Sequence, residues 1–161
     1  MNMEKVITVI ILSFVFSITI NAQQQYVKLV NLSKYKNIQG VIFQGESQKT
    51  WSNKKMQGMF SPELNDLIKA EDIIIDICSD TKKAHYVCSK IGEFKFYKRQ
   101  YVGRLNSSKE KILEIQFLNF KNKKAREFFN DWDKNYIIAS GDLFYDNSFL
   151  IYINLNTGEI E

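Results

Sequence analysis

Two neighbouring stretches decide the fold, EFKFYKRQYVGRL at 93–105 and KILEIQFLNF at 111–120. In the second, Leu113, Ile115 and Phe117 alternate with Glu114 and Gln116, a period of two that sends successive side chains to opposite faces of a sheet. Asn106-Ser107-Ser108-Lys109 between the stretches is turn chemistry, so the pair reads as an antiparallel hairpin. Alternation along the first stretch puts Phe94, Phe96 and Val102 on one face and Tyr97, Arg99 and Tyr101 on the other.

On the N-terminal side lies a helix start. Ser61 is a candidate N-cap, Pro62 suits the first helical position, and Glu63 suits the positive end of the helix dipole. Leu64, Leu67, Ile68, Ile74, Ile75 and Cys78 then follow helical spacing, with Glu71 as an interruption. The spacing predicts a helix over 62–79. A break near Ala70, with β-branched Ile73–Cys78 as a buried strand, is the alternative.

On the C-terminal side, Ala125, Phe128, Phe129 and Trp132 predict a second helix over about 123–133. Strands follow at 136–145 and 149–155, joined by Asp146-Asn147-Ser148. Residues 26–60 read as irregular, with room for one helix or strand. The order helix, two strands, helix, two strands, with hairpin-like connections, gives an α+β fold. It is expected to be a mainly antiparallel sheet of about four strands with one or two helices packed on one face.

The chain has 161 residues, of which 45% are apolar and 14% aromatic, with a formal net charge of +4. That composition excludes disordered, collagen-like and disulfide-dense classes, and the length suits one domain. A single His excludes a multi-histidine metal site. The first residues, MNMEKVITVIILSFVFSITINA, combine Lys5 with an uncharged run from Val6 to Ile20. The run is shorter than the ~20 residues of a spanning helix and resembles a secretory leader. Cleavage is expected after Ala22, leaving residues 23–161 as one domain, with 23–60 poorly defined, in the periplasm or outside the cell. Membrane contact is expected through this leader alone.

From Phe60 onward the chain resembles an uncharacterised group of small exported bacterial proteins. The features that carry this are FSPELNDLIKAE (60–71), YKRQYVG (97–103), IQFLNF (115–120), Trp132, SGDLFY (140–145) and YINLNTG (152–158). The resemblance implies export and a helix-on-sheet fold of the cystatin-like or nuclear-transport-factor-2-like kind. It carries no activity.

Cys78 and Cys88 are candidates for a disulfide in an oxidising compartment, worth about 2–3 kcal/mol for so short a loop; two buried or exposed thiols are the alternative. His85 beside Cys88, with Asp80 near, could be drawn as a Cys–His pair, but a bridge would consume the nucleophile. The carboxylates Glu71/Asp72, Asp131/Asp133 and Asp142 show no spacing that makes an acid–base pair, and Glu71 and Asp72 read as solvated. No metal or cofactor motif is present, and no catalytic residue is assigned. KNKKAR (121–126) reads as a solvated face, with an acidic envelope surface as its alternative partner.

The remaining candidate surface is Tyr97, Arg99 and Tyr101, a cation–aromatic ladder facing away from the helix that reads either as pairs stabilising the sheet or as a partner- or ligand-binding surface. The sequence therefore points to a non-enzymatic domain binding a protein or small ligand in the envelope, with nucleic acid excluded as a partner. A small hydrolase using carboxylates in a helix–sheet pocket is the alternative.

Overall fold

The computed structural model describes residues 26–32, 38–44, 56–80 and 85–160. The expected leader, its expected cleavage after Ala22 and part of the 23–60 segment lie outside the described residues. The elements run β1 (Tyr26–Leu32), β2 (Ile38–Gln44), β3 (Met56–Met59), α1 (Leu64–Ser79), α2 (Tyr86–Ser89), a 3-10 helix (Ile91–Phe96), β4 (Tyr97–Asn106), β5 (Lys111–Asn119), α3 (Lys123–Phe128), α4 (Asp142–Asn147) and β6 (Ser148–Asn154). The fold is α+β. Among the described residues no helix is long and apolar enough to cross a membrane.

Among the described residues the sheet has six strands, not four, in the order β1-β2-β4-β5-β6, with β3 also on β4. It is largely antiparallel and mixed, because β2 and β4 run parallel. A parallel pair needs a crossover, and β3, α1, α2 and the 3-10 helix supply it. The expected 93–120 hairpin is β4–β5, paired from Tyr97↔Asn119 to Leu105↔Lys111. Asn106 shapes its turn, accepting from the backbone N–H of Ser108 and Glu110 at 3.0 and 2.9 Å, while Lys109 takes a left-handed φ of 62°.

Residues 26–60, expected to be irregular, hold three of the strands. β2 is central, and Val41, Ile42 and Phe43 are all fully buried. A strand covered on both faces reads as an unbroken apolar run without alternation. Gly40 sits in it because the Tyr101 ring lies where a Cβ would go. Gly103 in β4 similarly admits the ring and carbonyl of Phe60.

The helix over 62–79 is continuous, without a break at Ala70, but starts at Leu64. Glu63, not Ser61, is the N-cap, and its N–H donates to the Asp66 carboxylate at 2.9 Å. The buried stripe is Leu67, Ala70, Glu71 and Ile74, while Leu64 and Ile75 are exposed. Glu71 is thus part of the packed face and not solvated.

The expected helix over 123–133 is cut to Lys123–Phe128, capped by Asn122, whose side chain accepts from Ala125 N–H at 2.8 Å. The expected strand 136–145 is absent. Residues 136–140 carry no strand pairing, Gly141 turns the chain with φ 103°, and α4 begins at Asp142. Two glutamine side chains of the sheet take over the ladder's role here. Gln100 Nε2 donates to the carbonyls of Trp132 and Asn135, Gln100 Oε1 accepts from Ile137 N–H, and Gln116 Nε2 donates to the Ile137 carbonyl.

The sheet is consequently covered on both faces, a correction to the expected one. Tyr101, Leu113, Ile115, Phe117, Ile151 and Ile153 pack with α1 in one cluster. Val41, Phe43, Val102 and Leu118 pack on the other side with Ala125, Phe129 and Trp132.

Candidate functional site

The three residues expected to present a binding ladder face inward. Tyr97, Arg99 and Tyr101 share one face, as alternation predicts, but it is the face under α1; Arg99 and Tyr101 have no solvent exposure and Tyr97 has 6%. The reason is Glu71. Its Oε1 accepts from Arg99 Nε at 3.3 Å and from the Tyr101 hydroxyl at 3.0 Å, so an acid on the helix draws the cation into the core. Arg99 Nη1 also donates to the carbonyls of Tyr97 and Phe94, at 2.6 and 3.3 Å. Among the described residues Nη2 has no hydrogen-bond partner, but the guanidinium lies between the rings of Phe94 and Phe117, 4.9 and 4.5 Å from their centroids. Burial, followed by the Glu71 charge, pushes the Tyr101 hydroxyl well above the ordinary phenol value.

The other face repeats the scheme. Glu114 accepts from Arg104 Nε and from the Tyr136 hydroxyl, with both charged side chains buried. Burial and Glu114 push the Tyr136 pKa well up.

Cys78 and Cys88 form a disulfide, joining the C-terminal end of α1 to α2. His85 Nδ1 accepts from Val87 N–H at 3.2 Å as the N-cap of α2, so the imidazole is a cap and the sulfur it might have activated is bonded. Asp131 pairs with Lys134, and Asp142 lies in the first turn of α4. Among the described residues no group of His, Cys, Asp and Glu could hold a metal.

Among the described residues a groove opens to solvent at the start of β4. The β2–β4 ladder begins at Gly40↔Arg99, so residues 38–39 and 97–98 flank a cleft beyond its end. Ile38, Gln39, Phe94, Lys95, Phe96, Tyr97, Lys98 and Phe120 line this groove of about 370 Å³. Lys98 Nζ lies 4.6 and 4.5 Å from the ring centroids of Phe120 and Trp132, and Lys95 Nζ lies 5.0 Å from that of Phe96. Lys121 also sits over Phe96, at 5.5 Å, but is paired with Glu93 at 2.6 Å. Burial lowers the Lys98 pKa, against an opposing pull from Asp133.

Of the three residues singled out in the sequence, Tyr97 borders the groove, while Arg99 and Tyr101 are buried under α1. Lys98 stands between Tyr97 and Arg99 and was passed over as a rim cation. In the sequence Phe120 ends the stretch 111–120 and Trp132 follows helical spacing, and a lysine placed between two rings is a recurrent cation–aromatic unit. No family model matches the chain, and no curated protein or solved structure matches it either.

Proposed function

We propose that this protein is an exported, non-enzymatic binding domain whose small ligand seats in the groove between β2, the 3-10 helix and β4. The observation that carries it is the cleft where β2 and β4 separate, walled by Phe94, Phe96, Tyr97 and Phe120 and rimmed by Lys95 and Lys98. Polar groups set beside aromatic side chains are a feature of small-molecule sites. Export is supported by the leader-like segment at 1–22 and by the Cys78–Cys88 bridge, since such bridges persist in oxidising compartments. Helix α1 lying across a largely antiparallel sheet supports the expected cystatin-like or nuclear-transport-factor-2-like kind of fold. A carboxylate hydrolase draws less support: Glu71 and Glu114 lie on opposite faces of the sheet, and each is engaged by an arginine and a tyrosine.

The test is a nuclear magnetic resonance screen of the protein against a library of small fragments. Hits should displace the amide resonances of Gln39 and Lys95–Lys98 together. Hits that cluster elsewhere, with those amides unmoved, overturn the reading.

A further inference from the structure

We infer that the groove selects a small anion with a flat apolar body, a ring bearing a carboxylate or a phosphate, and that Lys98 is the residue that selects it. The inference rests on the groove being the ligand site, and adds the ligand's chemistry.

Three observations converge on it. First, Lys98 is half-buried with its ammonium against Phe120 and Trp132, and among the described residues neither Lys98 nor Lys95 forms an ion pair. The Asp133 charge acts on Lys98 without pairing with it, and a cation taken partly out of water without an ion-pair partner bears a desolvation cost that an anion at the groove would offset. Lys121 shows the contrast, since Glu93 already answers it. Second, the walls are rings, which offer flat apolar faces to a planar body. Third, about 370 Å³ is near the lower end of small-molecule sites, so it admits one ring and its head group. The chain's +4 charge draws such an anion toward the protein.

The probes are four molecules sharing a benzene ring: phenylacetate, phenyl phosphate, phenylacetamide and phenethylamine. Binding is followed by titration calorimetry at low salt and by the amide resonances of Gln39 and Lys95–Lys98. An anion should bind about tenfold more tightly than the amide, as for hydrogen bonds to charged groups, with the amine weakest. Added salt should narrow the gap. Lys98→Gln should reduce the anion to the affinity of the amide, and Lys98→Arg should keep the preference. Whichever of carboxylate and phosphate binds more tightly assigns the head group. Equal affinity of anion and amide, with both still moving the groove amides, overturns the anion inference and leaves the groove as the ligand site. No probe moving those amides at millimolar concentration overturns both. Should Lys98→Gln fail to fold, the salt dependence and the anion-to-amide ratio of the unmodified protein decide the question.

Discussion

Arg99 of β4 and Glu71 of α1 meet in the core at 3.3 Å, with side-chain exposures of 0% and 1%. They fasten the helix to the sheet through charge as well as through apolar contact. Arg104 and Glu114 form a comparable pair on the opposite face, and each glutamate also takes a tyrosine hydroxyl. A buried pair of this kind is costly to break and cheap to replace, because what destabilises is the charge left alone.

Glu71→Leu or Arg99→Met alone should therefore cost about 3–5 kcal/mol, while the double variant costs much less than the sum. Urea unfolding of the four proteins in a double-mutant cycle measures this. Additive single effects would contradict the account.

Alkaline pH should destabilise the fold through Tyr101 and Tyr136. Their folded pKa values are raised above the ordinary 10.0 by burial and a neighbouring glutamate. Above pH 10 the unfolded chain releases these protons while the folded one retains them, so stability is full below the unfolded pKa and falls as pH rises through the folded values. Tyr101→Phe should cost about 1–2 kcal/mol at neutral pH through the lost hydrogen bond and flatten the alkaline decline. Urea midpoints across the alkaline range, with tyrosinate absorbance, check both; an unchanged slope contradicts them.

Gln100→Leu should release the 132–137 segment from the sheet. It removes two donors and one acceptor from buried or half-buried backbone, a loss of about 3 kcal/mol. Hydrogen exchange at the Ile137 amide should accelerate well beyond that of the central β5 amides. Equal protection of Ile137 in the variant would show that apolar packing alone holds the segment.

The same glutamines explain what could and could not be read in the sequence. Local patterns were legible: the alternation of 113–117 became β5, the helical spacing became α1, and Cys78 and Cys88 became a bridge. Long-range decisions were not. Nothing local in IIASGDLFY says that Gln100 and Gln116 will occupy its neighbouring backbone in place of a strand. Nothing local in YKRQY says that an acid on a helix at position 71 will turn Arg99 inward. Central β2 was missed because burial on both faces removes the alternation that marks a strand. The groove was missed because it is made by the divergence of two strands, which no single stretch encodes.

Removing the disulfide by Cys78→Ala/Cys88→Ala should lower stability by about 2–3 kcal/mol, the loop-closure entropy of a short bridge. The loss should appear first as faster amide exchange in the last turn of α1 and in α2. Unchanged unfolding midpoints and unchanged exchange in those turns would contradict a structural role for the bridge.

Lys98, proposed here as the cation of a ligand groove and forming no ion pair among the described residues, is tested most directly by its own titration. The Lys98 side-chain nitrogen resonance should titrate below the ordinary lysine value in the free protein, since burial outweighs the pull of Asp133. Saturation with phenylacetate or phenyl phosphate should raise that pKa, because the bound anion favours the charged form, and affinity should weaken as pH rises through the free value. Phenylacetamide should leave it in place. A Lys98 pKa that does not move when the anion binds would contradict the account.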